Sequence, residues 1–270
     1  MPEDVDRRQS PTDPVPPRPS DFDEGFAASA ASDGLRRVWR AAEPDLPVEI
    51  EPFSFLSAEL LDHLSLALAL TPGQLLVDLA CGRGGPGLWL ARAAGASLIG
   101  VDFSSVAVEH ATARADLFGL GDRARFVVGD LTGTGLPDAS ADAAVCVDAM
   151  HFPADPAAAA AEAARILRPG GRLVLTNWQP RSPQDSRLPP RLRHRTWGSI
   201  LDQAGFTDIR VEARPEWHDV FTRVYRTALD AGDPAGDTAL ADLQDEARRR
   251  LETADLVDRV VATGTRPGIG

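Results

Sequence analysis

The stretch Asp78-Leu79-Ala80-Cys81-Gly82-Arg83-Gly84-Gly85-Pro86-Gly87 concentrates the residue types that hold a ligand against a backbone. It leaves an apolar run at 75–80 and opens a segment with helical spacing. Glycines there let the chain turn sharply and approach a ligand with no Cβ in the way. Gly82, Gly84 and Gly87 also satisfy G-x-G-x-x-G, a pattern that admits a dinucleotide. The acids around the turn discriminate. Asp78 precedes the glycines, where a carboxylate repels a pyrophosphate and attracts an ammonium group. Asp102 ends the next apolar run and can accept hydrogen bonds from both ribose hydroxyls of an adenosine-bearing ligand. Asp130, in Val127-Val128-Gly129-Asp130-Leu131, can accept from an adenine amino group while Leu131 offers its N–H to the ring. Asp148 ends the fourth run. Four successive strands thus carry Asp at or near their carboxyl ends.

His151 follows Asp148 by three residues, and imidazole suits a general base near neutral pH. Shaping the pocket or capping a turn is the alternative role for it. His194 and His218 fall in segments expected to cover the site, whereas His63 and His110 read as helix-surface residues. Trp39, Phe53, Phe55, Trp178 and Trp217 flank the expected pocket and could hold a cationic or planar ligand, or simply pack in the core. Arg181, Arg187, Arg191, Arg193 and Arg195 form a polar stretch that reads as a solvated loop or as a contact for an anion. No HxH or HExxH pattern occurs, and no metal is expected. Cys81 and Cys146 lack CxxC spacing, which argues against a zinc site or a disulfide framework.

Short apolar runs at 75–80, 97–102, 124–130, 141–148 and 171–178 alternate with helical segments at 85–95, 104–118 and 155–168. Runs without in–out alternation mark strands buried on both faces of a parallel sheet. The order predicts a doubly wound α/β domain. Before it lie a helical stretch at 26–42 and an amphipathic helix within 52–70, which Ser57 can cap. After it come a helix at 195–204, a strand at 207–214, helices at 217–231 and 238–257, and a strand at 259–266. The expected organisation is a disordered tail at 1–24, a helical lid at 25–72, an α/β core at 73–215, a helical insertion at 216–258 and a last strand at 259–270.

A net charge of −12 disfavours a nucleic-acid partner, and no run approaches the roughly 20 apolar residues of a membrane span. The N-terminus carries no apolar signal. Two cysteines in 270 residues fit a cytoplasmic setting. A small molecule is the expected partner, and the sequence leaves a homodimer open.

The segments LLVDLACGRGGPGLWLA, GVDFSSVAVEHA, VVGDL, AAVCVDAMHF and AARILRPGGRLVLTNW, in this order over about 50–215, resemble the motifs of class I S-adenosylmethionine-dependent methyltransferases. The resemblance implies a Rossmann-like seven-stranded sheet with its last strand antiparallel between the fifth and sixth. It implies that Asp78, Ala80, Cys81, Gly82 and Gly84 line the methionine portion of S-adenosylmethionine. Asp102 and Phe103 would hold ribose and adenine, Gly129, Asp130 and Leu131 the adenine edge, and Asp148 and Ala149 the floor below the sulfur. Ser54 would contact the carboxylate of the cofactor. The style of the turn is similar to that of small-molecule members from natural-product biosynthesis. The acceptor atom stays open among oxygen, nitrogen and carbon. Two rival readings stand beside methylation: the same fold recruited to cyclisation or to binding alone, and a dinucleotide oxidoreductase.

Overall fold

A computed structural model describes residues 18–188, 192, 193 and 196–268. Its centre is a seven-stranded sheet in the order β3-β2-β1-β4-β5-β7-β6. The strands are β1 (Leu75–Leu79), β2 (Ser97–Asp102), β3 (Ala124–Val128), β4 (Ala141–Val147), β5 (Leu167–Pro180), β6 (Thr207–Ala213) and β7 (Val257–Thr265). The β1–β2, β2–β3, β1–β4 and β4–β5 pairs are parallel, and β7 lies antiparallel between β5 and β6. The central strands are buried almost throughout, as their unbroken apolar runs require. Leu76, Val145 and Val174 point into one core layer, and Val77, Ala144 and Leu175 into the other. The strand order reverses next to β1, where an open α/β sheet leaves a crevice at its carboxyl edge.

Helices α4 (Gly85–Ala94), α5 (Ser105–Arg114), α6 (Pro156–Ile166) and α7 (Trp197–Gln203) follow β1, β2, β4 and β5. Helix α3 (Ala58–Leu68) packs its buried Leu60, Leu61, Leu64 and Leu68 on the core. Ser57 caps it, accepting from Leu60 N at 3.1 Å. Helices α8 (Pro215–Asp230) and α9 (Thr238–Leu251) connect β6 to β7 and form a cap with α1 (Pro19–Ala31) and α2 (Asp33–Ala42).

Several boundaries depart from the sequence expectation. The segment 19–24, expected to be disordered, is the first part of α1. Pro19 opens this helix, and Asp21 returns a carboxylate to Arg18 N at 2.8 Å. Phe22 and Phe26, one turn apart, supply the apolar face that the charged composition concealed. Residues 1–17 lie outside the described residues. The helical stretch at 26–42 is two helices, because Ser32 is extended and caps α2 through Leu35 N at 2.9 Å. The strand expected at 171–178 runs from Leu167 to Pro180, taking in Pro169, Gly170 and Gly171, and its pairing to β4 slips between Ala141 and Ala143. Strand β7 starts at Val257, inside the expected insertion. No helix among the described residues is long and apolar enough to cross a membrane.

Candidate active site

The carboxyl ends of the parallel strands open into a cavity of about 910 Å³, closed on the far side by α1, α8 and α9. At its centre, β1 presents Asp78, which is 2% exposed. Its Oδ2 has no hydrogen-bond partner within the protein. Burial, reinforced by the nearby Asp102 carboxylate and opposed by the Gly87 amide, pushes Asp78 up to about 8. A buried carboxylate in the lining of a cavity favours a cationic or proton-donating ligand.

The turn after β1 is held by its neighbours. Ala80 takes a left-handed conformation at φ 57°, which costs a non-glycine residue strain. Cys81 N donates to Val101 O at 3.0 Å. Gly82 N and Ser104 N donate to the two carboxylate oxygens of Asp102 at 2.8 and 2.9 Å, so Asp102 clamps the turn to the end of β2. Each oxygen keeps a second lone pair for a ligand hydroxyl. Burial raises Asp102 despite these amides. Arg114 on α5, largely buried, donates to the carbonyls of Arg83 at 2.5 Å and Ile50 at 3.0 Å, tying the turn to the segment before α3.

The other expected residues distribute as follows. Ser54, Phe103, Gly129, Asp130, Leu131, Asp148, Ala149 and His151 line the cavity with Asp78, Ala80, Cys81, Gly82 and Asp102. Gly84 stands behind it. At φ 79°, it caps α4 and faces Ala111, Leu88 and Phe126, where a Cβ would sit 3.1–3.2 Å from their atoms. Asp130 lies two residues beyond β3, and its Oδ1 accepts from Thr132 N at 2.7 Å. His151 is buried, with its ring 4.2 Å from that of Phe152. Both cysteines are buried free thiols whose pKa burial raises, which removes them as nucleophiles.

Among the flanking aromatics, Trp39, Phe53, Phe55 and Trp178 line the cavity. Trp217 instead packs fully buried against His63. His63 also meets Arg214 at 3.1 Å, so it is a packed residue rather than a free surface one. His218 meets the Trp178 ring edge to face and lies tilted against Phe221, behind the lining. Arg181 and Arg187 pair with Asp258 and Asp185, and Arg193 with the Leu188 and Ser186 carbonyls. Arg191, His194 and Arg195 lie outside the described residues.

Two features escaped the sequence reading. Phe22 inserts between Phe103 and Phe152, with both ring centroids 5.3 Å away, while Asp23 accepts from Ser104 Oγ at 2.5 Å. Helix α1 is thereby fastened over the glycine turn. The second is Arg259 on β7, fully buried, which pairs with Asp148 at 2.7 Å. Asp148, left-handed at φ 56°, also accepts from Thr176 Oγ1 at 2.8 Å. The arginine that opens the apolar run at 259 was the available signal, since a charge buried with that run needs a partner.

Residues 77–175 match the family model described as a methyltransferase domain. That stretch of the chain is a methyltransferase domain. The chain is similar to the 27-O-demethylrifamycin SV methyltransferase of Amycolatopsis mediterranei, with 32% identity over 59% of this chain and 58% of that protein. It is also similar to methyltransferase GfsG of Streptomyces halstedii, with 34% identity over 50% of this chain and 48% of that one. The matched stretch thus spans about half the length of these curated relatives. In structure, the likeness in fold covers most of the chain. The [4+2]-cyclase SpnF superposes with a TM-score of 0.74 at 22% identity, covering 95% of this chain and 98% of that one. A Geobacter sulfurreducens methyltransferase bound to S-adenosylhomocysteine gives 0.61 at 24% identity over 84% and 97%.

Proposed function

We propose that the chain is an S-adenosylmethionine-dependent methyltransferase acting on a small molecule in the cytoplasm. The observation that carries this is the buried, unpartnered Asp78 oxygen beside the glycine turn, which fits the ammonium end of the cofactor. Asp102 would hold the ribose, with Phe103, Gly129, Asp130 and Leu131 around the adenine. Ser54, Ala80, Cys81, Gly82, Asp148 and Ala149 would line the methionine end. When bound, the sulfonium supplies an activated methyl carbon, so the protein must chiefly align the acceptor and exclude water. The cap of α1, α2, α8 and α9 serves exclusion. His151, at the cavity wall near Asp148, is the candidate base for a proton of the acceptor. The 27-O-demethylrifamycin SV named for the Amycolatopsis relative supports a natural-product acceptor.

Calorimetry with S-adenosylhomocysteine and with NAD tests the cofactor. Binding of the first alone is expected, and binding of NAD alone overturns the proposal. Transfer of labelled methyl from S-adenosylmethionine into a co-incubated small-molecule pool then separates methylation from cyclisation or binding.

A further inference from the structure

The cavity continues beyond the cofactor-facing residues, across the ends of β5 and β7 and under α8 and α9. Phe55, Trp178, Phe221, Tyr225, Leu188 and Leu243 line that end. The rings of Phe55, Phe221 and Tyr225 meet edge to face, with centroids 4.7–5.0 Å apart. They fill one another's faces and leave a wall rather than an open aromatic box. The Arg259 guanidinium, already balanced by Asp148, lies 4.7 Å from the Trp178 ring centre. That contact uses the Trp178 ring for an internal cation and fixes its orientation. Among the described lining residues, both guanidinium groups are paired, Arg250 with Glu246 at 3.6 Å and Arg83 with Glu51 at 2.5 Å. Asp21, Asp130, Asp155 and Asp242 add negative charge around the cavity. Of these, Asp242, exposed on α9 beside Leu243, borders the aromatic end and opposes a phosphate or carboxylate there, while an ammonium would find the Trp178 face contested. The total volume lies near the top of the roughly 300–1,000 Å³ usual for small-molecule sites, which leaves room for a bulky second ligand.

We propose that the acceptor is a bulky, neutral, largely apolar molecule, seated between the aromatic wall and Leu243 of α9. This names the substrate class of the methyltransferase reading and rests on it. The probe is Nile red, a neutral polycyclic dye, titrated by fluorescence into the full chain without cofactor. One equivalent is expected to bind, undisturbed by hexyl phosphate or choline. Leu243→Asn should weaken it about tenfold by wetting the wall, and Leu243→Trp comparably by filling the space. Both variants should keep the S-adenosylhomocysteine affinity of the unaltered chain, which also reports that they fold. No dye binding to the unaltered chain, equal affinity in the Leu243→Trp variant, or displacement by hexyl phosphate or choline overturns the proposal. Because the dye titration needs no cofactor, loss of the methyltransferase reading shows separately, as absent S-adenosylhomocysteine binding.

Discussion

Asp78 makes the site sensitive to pH in a direction that can be worked out. An unfolded aspartate ionises near 3.8, whereas Asp78 in the fold holds its proton up to about 8. Between these values the folded state binds more protons than the unfolded one, so the contribution of Asp78 to stability falls as pH rises and levels off above about 8. Thermal unfolding without ligand should therefore show a declining component from pH 5 to 8, absent in Asp78→Asn. A ligand ammonium beside the carboxylate reverses the preference. Binding of S-adenosylhomocysteine at pH 7 should release a proton, read from binding heats in buffers of different ionisation enthalpy. No release would mean that the ammonium lies elsewhere. Asp102→Ala removes the acceptor of two turn amides together with the proposed ribose contact, and should weaken S-adenosylhomocysteine at least about tenfold, or about 1.4 kcal/mol. For His151→Ala, turnover should fall by a factor of about 10² or more with cofactor affinity retained, as for loss of a general base. An unchanged rate would leave His151 a wall residue. Asp78, Asp102 and Asp148 were legible because strand ends are legible. Their partners were not: Arg259 is 111 residues from Asp148, and no local pattern joins them.

At the scale of elements, the glycine turn works because three segments meet without side chains between them. A Cβ on Gly85 would sit 2.1 Å from Ile50 O, which also accepts from Arg114. Gly87 would bring one 2.4 Å from Asp78 Oδ2. Gly85→Ala must displace the backbone before α3, a cost of about 1–3 kcal/mol by overpacking. For a chain of this size, Tm should fall by about 2–10 °C, and S-adenosylhomocysteine should bind more weakly because Glu51 to Phe55 move with it. Unchanged melting would show that the loop yields freely. The strands and their order were readable from apolar runs alternating with helical spacing. Helix α1 was not, since its acids and proline match the composition of a disordered tail. What orders it is tertiary: Phe22 against Phe103 and Phe152, and Phe26 against Phe53. The i, i+4 spacing of those two phenylalanines was the one local clue.

Across the whole molecule, the cap is assembled from opposite ends of the chain. Helices α1 and α2 precede the sheet, α8 and α9 interrupt it before its last strand, and β7 returns Arg259 beneath them. Beside the apolar cluster that joins α2 to α8, one tie is Asp237. Its Oδ2 accepts from Ser32 Oγ at 2.7 Å and Gly34 N at 2.9 Å, and its Oδ1 caps α9 through Leu240 N at 3.1 Å. One carboxylate thus fixes the α1–α2 joint to the start of α9, 205 residues away from Ser32. Asp237→Ala removes a helix cap worth about 0.5–2 kcal/mol and frees the joint at once. The sheet does not depend on that contact. Hydrogen exchange should therefore accelerate in 19–42 and 215–251 while β1, β2 and β4 stay protected, since local opening follows cooperative units. Methyl transfer should slow as water enters, with S-adenosylhomocysteine affinity less affected because Asp78 and Asp102 sit on strands. Uniform acceleration across sheet and cap would mean that the cap and the core open as one unit, and that Asp237 stabilises the fold rather than the closure.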